Sequence, residues 1–204
     1  MSELGSLEDY LGQHIAAFCA DYDSTLKRDA SPPAALLPGS FNPLHAGHLR
    51  LAEVAAALVG AGVDFELSIV NVDKPQLSVE EVRLRLSQFD GRARVWVTRA
   101  PTFEEKAVLF PGTTFIIGAD TAQRLIALRY YGGGERRMQE SFARIRGQGC
   151  RFLVAGREDN AGRFVALEGL DLPAAIRDLF AGIPKSLLAI PLSSSALRAR
   201  PRLN

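Results

Sequence analysis

The sequence contains little cysteine, no long apolar segment and no excess of charge of either sign. Its two cysteines, Cys19 and Cys150, stand far apart among 204 residues, which argues against a disulfide framework and a cysteine zinc cluster. No apolar stretch approaches the ~20 residues that cross a bilayer, and Glu3, Glu8 and Asp9 stand where a signal peptide would need basic residues. We therefore expect a cytoplasmic protein that is neither secreted nor inserted into a membrane.

Positive and negative charges nearly cancel in the chain as a whole, but they are unevenly distributed along the sequence. The 24 Lys and Arg residues and 23 Asp and Glu residues give a net charge of +1, which lacks the basic excess typical of a dedicated nucleic-acid-binding protein. Basic side chains concentrate towards the C-terminus, where Arg198, Arg200 and Arg202 lie close together. Because a guanidinium group can bind two phosphate oxygens at once, this segment is a candidate phosphate-binding region, with a solvated basic tail as the alternative.

The sequence predicts a short N-terminal appendage followed by one domain. Apolar residues at near-helical spacing behind Ser6 predict an amphipathic helix over residues 6–20. Turn-forming residues and the Pro32-Pro33 pair then interrupt the chain. We predict a helical appendage and linker over residues 1–33 and a single domain over residues 34–204.

From residue 34 onward, short apolar runs alternate with helical patterns. The predicted strands are 34–37, 65–72, 94–98, 114–117, 151–154 and 187–190, and the predicted helices are 47–59, 79–88, 102–109, 121–128, 135–146 and 173–180. Parallel strands need crossover connections, so this alternation favours an α/β fold: a Rossmann-like parallel sheet with helices on both faces.

The first predicted strand is followed by a candidate functional motif that contains a turn glycine and two histidines. Its sequence over residues 38–49 is Pro-Gly-Ser-Phe-Asn-Pro-Leu-His-Ala-Gly-His-Leu. In open α/β sheets, ligands bind beyond the carboxyl ends of the strands, where the first turn offers backbone N–H groups and a helix N-terminus. Gly39 allows close approach to a phosphate, while His45 and His48, three residues apart, are expected to lie side by side. The motif therefore predicts an anion-binding site.

This segment resembles the His-x-Gly-His signature of the nucleotidylyltransferase superfamily. Its residues are most similar to those of the nicotinamide or nicotinate mononucleotide adenylyltransferases. The segment 115–120 looks like the family's strand ending in Gly-x-Asp, and the segment 193–198 is similar to its serine-rich turn with an arginine. The resemblance implies these roles: His45, His48 and Arg198 as catalytic residues; Gly39, Ser40, Phe41, Gly118, Asp120, Ser193, Ser194 and Ser195 as ATP-binding residues; Lys74, Thr102, Tyr130 and Tyr131 as acceptor-binding residues.

The resemblance further implies transfer of AMP from ATP to a mononucleotide, with release of pyrophosphate. Mg²⁺ is the expected cofactor, bound mainly through ATP phosphates rather than by a metal site of protein ligands. The implied partners are ATP and a small phosphorylated acceptor, with no nucleic acid and no membrane. Self-association of the chain is left open.

Several alternatives remain at this point. His45 and His48 could bind zinc, although the third histidine, His14, lies on the predicted appendage. Asp120 and Thr102 could simply be helix caps, and the two tyrosines could pack under the neighbouring glycine run. Among functions, the alternatives are transfer to phosphopantetheine, transfer from CTP, and a nucleotide-binding regulatory module without turnover.

Overall fold

A computed structural model describes residues 6–73, 75–158 and 163–187, which form a sheet with helices on both faces. The helices are α1 (Leu7–Gly12), α2 (Ala46–Val59), α3 (Val79–Leu86), α4 (Phe103–Leu109), α5 (Ala119–Leu125) and α6 (Gly134–Gly147). The strands are β1 (Ala17–Ala20), β2 (Leu26–Lys27), β3 (Ala35–Pro38), β4 (Val63–Ser68), β5 (Val95–Thr98), β6 (Thr114–Gly118), β7 (Arg151–Ala155), β8 (Arg157–Glu158), β9 (Phe164–Val165) and β10 (Phe180–Ile183).

The central sheet has the strand order β10-β7-β6-β3-β4-β5-β1-β2. Strands β10 to β5 in this order are parallel, whereas β1 pairs with β5, and β2 with β1, in antiparallel fashion. The chain runs outward from β3 through β4 and β5, then returns to β6 on the other side of β3. The β3–β6 boundary is therefore the topological switch point, where doubly wound sheets bind their ligands.

Alternate side chains of the strands fill two cores, one on each face of the sheet. Phe65 and Val97 point to the face covered by α1, α2 and α3, and Phe115 and Phe152 point to the face covered by α4, α5 and α6. Because both faces are covered, the central strands are almost continuously buried, as is typical of parallel sheets. The predicted α/β Rossmann-like fold is confirmed.

The N-terminal prediction is wrong beyond the first helix. The Ser6 cap is present, but α1 ends at Gly12, and Ala17–Ala20 forms strand β1. The backbone of β1 pairs with the edge of β5, joining Phe18 to Val97, and this pairing outweighs the weak helical periodicity. The segment predicted as a helical appendage and linker thus supplies two strands of the sheet. A domain boundary after residue 33 stays a prediction.

Further differences lie at the opposite edge of the sheet. The helix predicted over 173–180 is a 3₁₀ helix, Ala174–Leu179, and Phe180 begins β10, which pairs with β7. Leu187 ends a further 3₁₀ turn, and the rest of the strand predicted over 187–190 lies outside the described residues.

In the described part of the chain, every helix is too short or too polar to cross a bilayer.

Candidate functional site

A cleft of about 720 Å³ opens at the carboxyl edge of the sheet, beside the switch point. Its walls come from the ends of β3, β4 and β6, the start of α4, and the 3₁₀ turn Leu128–Tyr130 with the residues that follow it. Six residues predicted to bind nucleotide or acceptor line this cleft: Gly39, Ser40, Thr102, Gly118, Tyr130 and Tyr131.

The turn after β3 is tightly packed around an aromatic ring. Phe41 is buried and adopts a positive φ of 43°, which is rare for a bulky residue. Its ring packs edge-on against Phe65, Phe89 and His48 at centroid distances of 5.5, 5.1 and 5.1 Å. A Cβ atom on Gly39 would lie 2.6 Å from this ring, so the turn requires glycine at that position. Phe41 therefore shapes the turn from within the core, outside the cleft.

Two side chains that the sequence analysis did not select fix this turn from outside. The Gln88 amide donates to the carbonyl of Phe41 at 3.0 Å and accepts from the backbone N–H of Leu44 at 2.8 Å. The Arg85 guanidinium donates to the carbonyl of Ser40 at 3.1 Å. Both residues lie more than 40 positions away along the chain, so no local motif could have revealed them.

His45 and His48 lie at the start of α2 with their rings stacked, 3.7 Å between centroids and 18° between planes. The backbone N–H of His45 donates to Nδ1 of His48 at 3.3 Å. Since an N–H can only donate, Nδ1 carries no proton, and the neutral ring bears its proton on Nε2. Burial, followed by the neighbouring His45 ring, lowers the pKa of His48 from 6.5 to about 4. At neutral pH, His48 is thus a neutral hydrogen-bond donor.

Asp120 is not among the residues that line the cleft, although Gly118 and Thr121 on either side of it are. Gly118 is the N-cap of α5, and Asp120 stands in the first turn, where a carboxylate is favoured by the helix dipole. Its Oδ2 forms an ion pair with Arg157 at 2.9 Å. This arrangement favours the helix-terminus interpretation of Asp120 over direct contact with a nucleotide.

Thr102 combines a cap with a position on the cleft wall. Its hydroxyl accepts a hydrogen bond from the Glu105 backbone N–H at 3.3 Å, and the Glu105 carboxylate accepts from the Thr102 N–H at 3.0 Å. This reciprocal pair is a capping box at the start of α4. The predicted cap is confirmed, and a role for Thr102 in acceptor binding stays a prediction.

The two tyrosines have different environments on the cleft wall. The hydroxyl of Tyr130 donates to Asp73 at 3.2 Å, across the mouth of the cleft, while Arg129 lies 5.0 Å from its ring centroid. The hydroxyl of Tyr131 donates to the carbonyl of Leu125 at 2.9 Å. Burial, followed by the negative charge of Glu104, raises the pKa of Tyr131, so this phenol stays neutral.

A buried ion pair lies on the same cleft wall and was missed by the sequence analysis. Lys106 donates from Nζ to Glu66 Oε1 at 2.6 Å and to the carbonyl of Ala100 at 2.8 Å. Thr98 donates to the same Glu66 oxygen at 2.5 Å. Glu66 and Lys106 are only 1% and 4% exposed. The pair joins β4 to α4 across 40 residues of sequence, and neither residue belongs to a motif.

Five predicted site residues lie outside the described residues: Lys74, Ser193, Ser194, Ser195 and Arg198. Over residues 6–73, 75–158 and 163–187, no group of three or more His, Cys, Asp or Glu side chains is placed to hold a metal ion.

The sheet order and the cleft at its switch point define the chain as a doubly wound α/β domain of the nucleotide-binding type. Residues 36–200 match a family model described as cytidylyltransferase-like, which spans more than half of the chain. The chain therefore belongs to the cytidylyltransferase-like family of the nucleotidylyltransferase superfamily, and this membership supports a nucleotidyltransferase activity. No curated protein matches the chain.

Proposed function

We propose that the chain is an adenylyltransferase that transfers AMP from ATP to nicotinamide or nicotinate mononucleotide. The observation that carries the proposal is the placement of the site residues around the switch point. Gly39, Thr102, Tyr130 and Tyr131 line one cleft, and the stacked histidines lie at the start of α2, which follows the Gly39 turn. This arrangement suits a phosphate-binding region next to a pocket for a second nucleotide.

The proposed reaction needs no covalent enzyme intermediate. A phosphate oxygen of the mononucleotide attacks the α-phosphorus of ATP. The bond between that phosphorus and the oxygen bridging the α- and β-phosphates breaks, and pyrophosphate leaves. A phosphate nucleophile is already ionised at neutral pH. The protein therefore has to align the reactants and stabilise the charge that builds up on phosphate oxygens.

The described residues supply neutral donors for that charge. In this proposal, the Nε2–H of neutral His48 donates to a phosphate oxygen, and the N-terminal turn of α2 adds oriented backbone N–H groups. A neutral imidazole donates a hydrogen bond without requiring protonation, so this contribution persists through the physiological pH range. We assign His45 to the same ATP phosphates as His48.

Further positive charge comes, in this proposal, from residues that lie outside the described ranges. Arg198 and the three preceding serines hold the β- and γ-phosphates, and Lys74 adds a cation on the acceptor side. Mg²⁺, when bound, neutralises phosphate charge. Such an ion commonly keeps several waters and binds through phosphate oxygens, so it needs no cage of protein ligands.

The experiment that tests the proposal is pyrophosphate release by the purified protein with Mg²⁺. ATP and CTP are each combined with nicotinamide mononucleotide, nicotinate mononucleotide and phosphopantetheine, and products are identified by chromatography. We expect release with ATP and a nicotinyl mononucleotide. The cytidylyltransferase-like family match favours CTP use as the second candidate. Release with CTP, or only with phosphopantetheine, overturns the proposal, and ATP binding without release points to a regulatory module.

A matched pair of histidine variants tests the phosphate role. His48→Ala is expected to lower turnover at least about tenfold, which corresponds to about 1.4 kcal/mol of transition-state stabilisation. His14→Asn is the control, because His14 is exposed and has a positive φ that asparagine tolerates. Equal turnover in the two variants would show that His48 does not stabilise the phosphates in the transition state.

A further inference from the structure

Two buried charged side chains remain on the cleft wall without a role in the proposed reaction. Glu66 and Lys106 are each more than nine-tenths buried, yet both line the cleft. Removing two charges from water costs several kcal/mol per ion, and apolar replacements for such a pair are often neutral or stabilising. An ion pair at a ligand-binding surface is thus a candidate for recognition rather than for stability alone.

Within residues 6–73, 75–158 and 163–187, the hydrogen bonds of the pair use two of the three Lys106 ammonium donors and one of the two Glu66 carboxylate oxygens. An ammonium group has three N–H donors, and Lys106 uses two of them on Glu66 Oε1 and the Ala100 carbonyl. Both bonds received by the Glu66 carboxylate, from Thr98 and Lys106, end on Oε1, and neither uses Oε2. The wall therefore combines a cationic donor with a carboxylate acceptor, side by side.

A primary carboxamide matches this combination. Its carbonyl oxygen accepts from the Lys106 ammonium while its NH₂ group donates to Glu66 Oε2. A carboxylate in the same place accepts from Lys106 with one oxygen but directs the other, negatively charged, at Glu66. Such like-charge contact in a desolvated site discriminates strongly against the acid.

The position of the pair assigns it to the acceptor rather than to ATP. Two nucleotides on a doubly wound sheet occupy opposite sides of the switch point. Glu66 and Lys106 lie on β4 and α4, on the same side as Thr102, which lines the same cleft. We propose that Glu66 and Lys106 recognise the carboxamide of the acceptor, and so select nicotinamide mononucleotide over nicotinate mononucleotide. This inference rests on the proposed function.

The wild-type protein provides the first test. With saturating ATP and Mg²⁺, kcat/KM is measured for both mononucleotides, and we expect the amide to be preferred at least about 100-fold. Turnover of both with similar efficiency, or a preference for the acid, overturns the inference while the proposed function stands. Turnover of neither, with release from another acceptor or from none, overturns both proposals.

The second test compares two carboxylate-to-amide variants on one strand. Glu66→Gln keeps a carbonyl oxygen that accepts from Thr98 and Lys106, but it replaces the other carboxylate oxygen with an NH₂ donor. The NH₂ group of the substrate carboxamide then loses its acceptor, so we expect the preference for the amide to fall at least about tenfold. Asp64→Asn is the control: Asp64 is a buried carboxylate two residues away that binds the Trp96 indole at 2.9 Å and lies outside the cleft lining.

The control variant is expected to keep the wild-type amide preference. An equal change of preference in both variants, no change in Glu66→Gln, or a change confined to the KM for ATP overturns the assignment. The wild-type measurement stands independently if either variant fails to fold.

Discussion

The two sides of the cleft differ in how they are built. The phosphate side, named for its proposed role, is one continuous segment made of the turn after β3 and the start of α2, with Gly39, Phe41, His45 and His48 within ten residues. Of these four residues, Gly39 lines the cleft and the other three lie beside it. The acceptor side, likewise named for its proposed role, is a wall that joins β4, α4 and the turn before α6, and its buried pair spans 40 residues. A continuous segment leaves a motif in the sequence, whereas an assembled wall does not.

The difference extends to the electrostatics. The phosphate side uses neutral imidazole, a helix N-terminus and backbone groups, held by the Gln88 amide. The acceptor side buries full charges in contact, as Glu66 and Lys106 do. Neutral donors suit a site that binds and releases a highly charged triphosphate, whereas fixed charges suit discrimination between acceptors of different charge. The following predictions test this contrast.

The largest expected effect is loss of the buried cation. Lys106→Met leaves the Glu66 carboxylate buried without its ion pair, so we expect the free energy of unfolding to fall by about 3 kcal/mol in urea denaturation. The double variant Glu66→Leu with Lys106→Met removes both charges and is expected to recover most of that loss. As a control, Arg50→Ala breaks the exposed Arg50–Glu53 pair and should cost less than about 1 kcal/mol.

The next largest effect concerns the turn on the phosphate side. Gly39→Ala places a Cβ atom 2.6 Å from the Phe41 ring, which must move within a packed core. We expect a loss of about 2 kcal/mol in the free energy of unfolding, measured by denaturation. Gly62→Ala is the matched control, since its Cβ meets nothing within 4 Å. Equal stability of the two variants would mean that the ring has room to shift.

A smaller effect is expected from the pH dependence of stability. The pKa of His48 is about 4 when folded, below its ordinary value of 6.5, so the unfolded chain binds more protons between these values. The stabilisation is complete above pH 6.5 and is lost as the pH falls towards 4. Relative to His48→Gln, we expect wild type to lose on the order of 1–2 kcal/mol between pH 7 and pH 4.5. One unit of pKa corresponds to about 1.4 kcal/mol, and the incompletely buried ring keeps some hydration.

Denaturant titrations of both proteins at each pH measure this difference. Parallel pH curves for wild type and His48→Gln would show that the His48 imidazole titrates normally, and would contradict the neutral-donor assignment.

The smallest effect is expected at the mouth of the cleft. Tyr130→Phe removes the hydroxyl that donates to Asp73 at 3.2 Å. This bond holds the Tyr130 ring at the cleft wall, and an exposed hydrogen bond contributes about 0.5–1 kcal/mol. If the ring contacts the acceptor as proposed, losing the bond should raise the KM for the mononucleotide about two- to fivefold. Little change is expected in the KM for ATP, because Tyr130 lies on the acceptor side. A selective rise in the KM for ATP would reverse the assignment of the two sides.

Local patterns predicted the fold and several local structures around the candidate site. The turn after the first strand, the helix caps at Ser6 and Thr102, and the stacked histidine pair follow from spacings of three or four residues. Asp120 is the exception, because its local context fits both a helix terminus and a ligand contact. Only its ion pair with Arg157 and its place outside the cleft lining favour the first.

The sequence by itself determined the alternation of strands and helices, and hence the doubly wound sheet and the edge at which we propose that a ligand binds. Only the tertiary structure decided that β1 and β10 extend the sheet, that Gln88 fixes the first turn, and that Glu66 meets Lys106. The physical reason is range. Periodicity, caps and tight turns record interactions between near neighbours, whereas edge pairing and a buried ion pair depend on residues brought together only when the chain has folded.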